Sequence, residues 1–209
     1  NSSFIDFTNN FGPIASRYYL PILTDNVFEN NARDAILIEQ FIVSKDTTLS
    51  ASAEYIMNII TIDVGATLQI SPGTIINLLN MGEIAVNGSL QALGTEDDRI
   101  IIKPEKPEEK WGNMIFTNST STLAYVDITG GNRGSKNEGM LWLKDSNVTL
   151  NNVSLTDARR PYGMVYAKNS NLKMTDSEIS WSTPKESNSW SVDGINLDGG
   201  YLYLNNTTF

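Results

Sequence analysis

Any enzymatic chemistry in this chain would have to do without histidine and cysteine, because its 209 residues contain neither. The commonest general base, the commonest zinc ligand and every thiolate nucleophile are therefore missing. Glycoside hydrolysis needs two carboxyl groups held about 5 to 9.5 Å apart. The adjacent carboxylates Asp97 and Asp98 are a candidate pair, but they lie in the string GTEDDRI, which we interpret as a chain turn. The sequence thus predicts no catalytic residue, no metal site and no cofactor.

Aromatic side chains carry the clearest binding chemistry. In the string GMLWLK, Trp142 must point outward if the two leucines beside it point inward, and the same register in GMVYAK turns Tyr166 outward. Two such rings on neighbouring strands could stack against sugar rings, with Trp181 or Trp190 of the segment 180–192 nearby. The alternative is that this segment lies over the two rings and buries them fully or in part, and we favour it, since exposed apolar strips on soluble proteins are uncommon without a partner.

Several Asn-x-Ser/Thr sequons are present, and Asn87, Asn118 and Asn147 are the candidate glycosylation sites. They could be modified only if the source organism glycosylates its exported proteins. Asn152 and Asn206 also begin sequons, but we assign both to turns, which makes them less accessible.

Matched residues repeat down the second half of the chain, in the strings DSNVTLNNVSL at 145–155, NSNLKMTDSEI at 169–179 and GGYLYLNNTTF at 199–209. An inward apolar column is predicted from the aligned residues Val148, Leu172 and Leu202, joined by Leu123 one copy earlier. Asp127, Asn152, Asp176 and Asn206 follow in phase and predict a ladder of turn side chains, because Asn and Asp tolerate left-handed backbone geometry. Each unit reads as two or three short strands separated by turns. Alternation earlier in the chain predicts the inward-facing pairs Leu68 and Ile70, Ile84 and Val86, Leu90 and Ala92, and Ile100 and Ile102.

A unit of about 25 residues with short strands cannot bury its own apolar face and must stack on its neighbours. The predicted fold is therefore all-β, a single elongated β-solenoid. Residues 1–45 are predicted to form N-terminal rungs and a connecting segment, and residues 46–209 the coils. Residues 31–41, NARDAILIEQF, could be a short helix but read better as a turn followed by a strand. The charged segment 103–110 is predicted to be a solvated loop, with Trp111 covering the core beneath it.

The bulk composition restricts the partners. A formal charge of -9 argues against nucleic acid and against anionic membranes, and no stretch approaches the roughly 18 apolar residues of a membrane span. We expect an exported protein at the cell surface or outside the cell. Both ends resemble cuts through a continuing stack, so other copies, or the rest of a longer chain, are expected to bind the open ends.

The strongest family signal lies between residues 47 and 116. It consists of GATLQISPGT at 65–74, NGSLQALGT at 87–95 and the Trp-Gly pair at 111–112. This block resembles the signature of the right-handed parallel β-helix proteins of bacterial and archaeal cell surfaces. The resemblance implies that the solenoid is right-handed and parallel. For function it implies an adhesin, a wall-associated module, an envelope scaffold or an accessory part of a carbohydrate enzyme.

Two functions follow from the residues and the resemblance together. The first is a non-catalytic surface or structural module, such as an adhesin, an envelope scaffold or a filament subunit, that could bind polysaccharide or cell-surface glycan through Trp142 and Tyr166. The second is a polysaccharide lyase or glycosidase on the same fold. A lyase of this kind is expected to pair an acidic calcium cluster with a basic proton acceptor, for which Arg159 and Arg160 are the nearest candidates. No matching acidic cluster accompanies them, so we favour an exposed loop there and a protein that is not an enzyme.

Overall fold

Strands are the regular elements of the chain wherever its structure is described. The computed structural model describes residues 3–5, 12, 14–21, 27–29, 33–131, 139–158, 163–180 and 194–209. Every regular element within these ranges is a β-strand, so the all-β prediction is confirmed. Residues 35–43 form a strand, and the strand interpretation of that region is therefore the correct one. No helix among the described residues is long and apolar enough to span a membrane.

The strands are β1 (Ser3–Ile5), β2 (Ile14–Ser16), β3 (Val27–Glu29), β4 (Ala35–Val43), β5 (Thr47–Leu49), β6 (Glu54–Ile62), β7 (Thr67–Ile70), β8 (Ile75–Val86), β9 (Ser89–Leu93), β10 (Ile100–Pro104), β11 (Met114–Thr117), β12 (Thr120–Thr129), β13 (Leu141–Lys144), β14 (Asn147–Thr156), β15 (Val165–Thr175), β16 (Glu178–Ser180) and β17 (Ile195–Asn205).

The main sheet closes on itself. Strands β1 and β3 pair separately, and the other fifteen belong to one sheet whose strand pairs are parallel. Within it β8, β11, β13, β15, β14 and β12 pair in that order, and β10 pairs with both β12 and β8. The result is a closed barrel of seven parallel strands with extra strands attached. The predicted elongated right-handed β-helix, a solenoid of stacked repeats, is therefore wrong.

The sheet closes because several of its strands continue through their bends. Met81 in β8, Tyr125 in β12 and Asn152 in β14 have positive φ angles of 66°, 52° and 53°, and pairing resumes on the far side of each. The first half of β8 pairs with β10 and its second half with β11. Sequence patterns indicated a break at each bend. In the structure a single strand runs through the bend and pairs with different neighbours on either side of it, which allows the sheet to close.

The apolar core follows the predicted alternation closely. The inward pairs Leu68 and Ile70, Ile84 and Val86, Leu90 and Ala92, and Ile100 and Ile102 are all at most 3% exposed. Trp111 is completely buried, as predicted, and its indole Nε1 donates a hydrogen bond to the Thr129 carbonyl oxygen at 2.7 Å.

One predicted column is out of register. Val148 does lie beside Leu172, and Leu172 beside Leu202, but Leu123 lies opposite Leu150 and not Val148. Tyr125 consequently takes the left-handed position opposite Asn152, and the assignment of Asp127 to the turn ladder is wrong. Asp176 and Asn206 hold their predicted places, with φ angles of 50° and 49° and a 2.7 Å hydrogen bond from Asn206 Nδ2 to Asp176 Oδ1.

A buried serine ladder, formed by Ser119, Ser146 and Ser170, runs beside the core. The backbone N–H of Ser119 donates to Ser146 Oγ at 3.0 Å, and the N–H of Ser146 donates to Ser170 Oγ at 3.0 Å. Each hydroxyl donates in turn to a carbonyl oxygen, those of Gly88, Lys144 and Lys168 respectively, at 2.7 to 2.8 Å. These bonds satisfy polar groups that would be costly to bury without a partner.

Candidate functional site

The most exposed apolar surface of the described residues lies on β17. This strand pairs with β15 from Val165–Ile195 to Thr175–Asn205, and no described strand pairs with its other edge. A free edge presents unpaired N–H and C=O groups, which form a template for a further strand. The free edge of β17 is eleven residues long and is therefore large enough to bind one.

Side-chain burial changes abruptly between β15 and β17. Leu172 and Met174 are 1% and 0% exposed, whereas Leu202 and Leu204, in register with them, are 38% and 40% exposed. We call the exposed apolar residues at this end the β17 surface; they are Leu197, Tyr201, Leu202, Tyr203, Leu204 and Phe209. Leu202 and Leu204 thus hold core positions that no described strand covers.

The chemistry of β17 suits association with another protein surface. Its sequence, INLDGGYLYLN, contains a single charged residue, Asp198. The Lys173 ammonium lies 5.6 Å from the centre of the Tyr203 ring, an arrangement that holds the ring through a cation–π contact. Gly200 has a φ of 96°, and a Cβ added there would lie 2.0 Å from the Ser170 carbonyl oxygen, so β17 approaches β15 closely at this point.

The predicted aromatic pair has the expected register. Trp142 pairs with Tyr166 on the neighbouring strand, and both are half-buried while Leu141, Leu143 and Ala167 beside them are fully buried. The Trp142 Nε1 atom is buried and has no hydrogen-bond partner among the described residues. The outward orientation is therefore confirmed together with partial burial, and sugar stacking on these rings stays a prediction. The two other tryptophans of that prediction, Trp181 and Trp190, lie outside the described residues.

The predicted glycosylation sites differ in accessibility. Asn118 and Asn147 are exposed, and Asn87 is half-buried. Asn147 Oδ1 accepts a 2.7 Å hydrogen bond from Asn171 Nδ2, so its amide belongs to a local ladder. Glycosylation at the three positions stays a prediction.

Of the residues considered for catalysis, only Asp97 and Asp98 are described, and they lie in a turn. Asp97 and Asp98 are exposed, and the Asp98 backbone N–H donates to Thr95 Oγ1 at 3.0 Å in the turn that we predicted. Arg159 and Arg160 lie outside the described residues. Within the described ranges there is no group of three or more acidic, histidine or cysteine residues that could hold a metal ion.

Ion pairs between distant segments were not predicted. Arg99 donates from Nε and Nη2 to the Asp127 carboxylate at 2.7 to 3.1 Å, and this hydrogen bonding raises the pKa of Arg99. Arg33 contacts Glu54 and Glu105 at 2.6 and 2.5 Å. Burial alone would lower the pKa of Arg33, but the hydrogen bonds to the two glutamates outweigh it and the pKa is raised. The paired residues are 21 to 72 positions apart, so no local sequence pattern indicates that they pair.

The segment 103–110 is only partly the solvated loop that its composition predicts. Lys106, Pro107 and Glu108 are exposed. Glu105 is held by Arg33, and the Lys110 ammonium pairs with the carboxylate of Asp157. Ion pairs thus hold both ends of the loop, whereas the side chains at its tip are exposed.

Comparison with protein-family models, with curated proteins and with solved structures finds no match to the chain. The resemblance to cell-surface proteins therefore stays a prediction, and nothing in the comparisons supports an adhesin or an extracellular role.

Proposed function

We propose that this chain is a non-catalytic structural module that associates with a second copy of itself through the β17 surface. The observation that carries the proposal is the exposure of Leu202 and Leu204, 38% and 40%, at positions in register with buried core residues. Burying these two leucines would contribute roughly 1 kcal/mol each to the free energy of association, and burying the neighbouring Tyr201 and Tyr203 rings would add to it. The unpaired backbone edge of β17 supplies hydrogen-bonding groups to the same contact.

The proposed contact is symmetric, because no matching apolar end exists elsewhere in the described structure. The order of the main sheet ends at β2 and β5, and β2 pairs only with residues 36–38 of β4, yet Phe41 and Val43 of β4 and Leu49 of β5 are at most 2% exposed. A head-to-tail chain of copies would need an open apolar surface at both ends. A contact between two β17 surfaces needs one surface only and closes as a two-fold dimer. We therefore favour a closed dimer over the filament considered from the sequence.

Charge supports the same arrangement. The chain carries a formal charge of -9, so most orientations of two copies repel each other. Asp198 is the single charge on β17, and the strand is consequently the place where two copies can approach with little electrostatic cost. An apolar, nearly uncharged centre is typical of protein interfaces.

Sedimentation equilibrium of the wild-type chain and two variants tests the proposal. The wild type should sediment at twice the monomer mass of 23.1 kDa. Leu204→Glu should be monomeric, because it places a charge in the centre of the contact. Val64→Glu is the matched control, since Val64 is 85% exposed and lies between β6 and β7, neither of which pairs with β17; this variant should remain dimeric. Circular dichroism verifies that both variants fold.

Spin labels distinguish the symmetric contact from other arrangements. The chain has no cysteine, so Tyr201→Cys and Val64→Cys each carry one label. The Tyr201→Cys dimer should give a short label-to-label distance and the Val64→Cys dimer a longer one. A monomeric wild type, a dimer that persists in Leu204→Glu, or close Val64 labels would each contradict the proposal.

A further inference from the structure

A polar groove of about 320 Å³ lies beside Arg99 and borders the residues that follow β17. Its lining includes Asn152, Ser154, Asp176, Glu178 and Asn206. The side chains come from segments up to about a hundred residues apart in sequence and meet because parallel pairing aligns them. A volume near 300 Å³ is at the lower end for small-molecule sites, enough for one or two sugar-sized rings.

The strand register builds the groove as two rows. Asn152, Asp176 and Asn206 share the left-handed column described above, which turns each side chain outward at the same point. Ser154 pairs in register with Glu178 to form the second row, which continues to Thr208. Hydrogen-bonding groups therefore recur at the spacing between strands, about 4.8 Å.

Arg99 is held rigidly at the side of this groove. Besides its bonds to Asp127, Nη2 donates to the Asn152 carbonyl oxygen at 2.9 Å, and the guanidinium lies 6.0 Å from the centre of the Tyr125 ring. Its Nη1 has no hydrogen-bond partner among the described residues. A fixed guanidinium with unused donors is pre-organised to bind an acceptor oxygen.

The charge balance selects the ligand class. Asp127 neutralises Arg99, which leaves the carboxylates of Asp176 and Glu178 without a basic partner among the described residues. Two uncompensated carboxylates disfavour phosphates and acidic sugars. A hard cation such as Ca²⁺ needs six to eight oxygen ligands, and Asp176 already uses one oxygen for Asn206. Hydroxyl groups suit the site, since they donate to carboxylates and accept from guanidinium and amide groups.

We propose that this groove binds a neutral saccharide unit, with Glu178 and Asp176 accepting from its hydroxyls and Arg99 and Asn206 donating to them. The proposal goes beyond the dimer proposed above and does not depend on it. Because Asn206 directly follows β17, binding is measured in the Leu204→Glu variant as well as in the wild type, so that failure of one proposal is separable from failure of the other.

Heteronuclear NMR titration with cellotriose, maltotriose, xylotriose and mannotriose tests the inference. At least one neutral trisaccharide should bind saturably and shift the backbone amides of residues 152–154 and 176–178. Glu178→Gln and Asn206→Ala should each weaken that binding at least tenfold. Glu39→Gln is the matched control, because Glu39 is exposed and pairs with Arg17 outside the groove; it should leave affinity unchanged.

Three results would overturn the inference. Absence of saturable binding by all four trisaccharides is one. Tighter binding of trigalacturonate or of Ca²⁺ than of any neutral sugar is the second, because it would reverse the charge argument. Shifts confined to Trp142 and Tyr166 are the third, since they would assign sugar binding to the aromatic pair.

Discussion

Replacing Ser146 by alanine should destabilise the protein far more than the loss of one hydroxyl group on a surface would. The Ser146 hydroxyl donates to the Lys144 carbonyl oxygen at 2.8 Å and accepts the N–H of Ser119 at 3.0 Å. Ser146 and Ser119 are both 2% exposed. Water therefore cannot replace either bond without opening the structure.

The expected loss of stability follows from the Ser119 N–H, which Ser146→Ala leaves buried without its acceptor. Each hydrogen bond contributes about 1 kcal/mol net, and a buried donor without a partner costs about 1 to 3 kcal/mol. We expect Ser146→Ala to lower the free energy of unfolding by about 2 to 3 kcal/mol. Ser170→Ala should have a similar effect, because it removes the acceptor of the Ser146 N–H.

Urea denaturation followed by circular dichroism measures the loss, with equal m-values required for the comparison. Ser50→Ala is the matched control, because the Ser50 hydroxyl is exposed and bonds only with that of Ser52 among the described residues. It should change stability by less than about 0.5 kcal/mol. A Ser146→Ala midpoint indistinguishable from that of Ser50→Ala would refute the reasoning.

Three further predictions concern other parts of the barrel. Gly200→Ala should lower the free energy of unfolding by at least about 2 kcal/mol more than Gly65→Ala in urea titrations, because both glycines have positive φ but the space around Gly65 is open. A double-mutant cycle of Arg99→Met and Asp127→Asn should give a coupling of about 1 kcal/mol that decreases in 1 M salt, as expected for a partly exposed ion pair; a coupling insensitive to salt would contradict this. Trp142→Ala should abolish any fluorescence change caused by cellohexaose if the sugar-stacking prediction is right, and a retained change would contradict it.

Alternation along the strands was predictable, and closure of the sheet was not. Period-two patterns correctly placed Leu68, Ile84 and Ile100 in the core, since inward residues recur wherever one face is buried. Closure depends on Met81 and Tyr125, which adopt left-handed conformations that large side chains rarely take. Composition favours Asp127 over Tyr125 as the turn residue, and the predicted register is wrong because Tyr125 takes the left-handed position.

The candidate sites were predictable to different degrees. The outward orientation of Trp142 and Tyr166 was predictable, because that inference needs only the neighbouring residues. The contact between Arg99 and Asn152 could not be predicted, since it joins residues 53 positions apart and depends on which strands pair. The exposure of Leu202 was equally unpredictable, because its sequence pattern matches that of buried Leu172 and only the order of the described strands shows that none of them covers it.

The spacing between aligned positions has a consequence for how this protein could be altered. Serine ladder residues are separated by 27 and then 24 positions, and the aligned Asn171 and Tyr201 by 30, yet the pairing across strands is kept. Differences in length between the copies therefore do not shift the register of the described strands. A peptide inserted at the exposed tip around Pro107 should accordingly be displayed on the surface, with the barrel on either side unchanged.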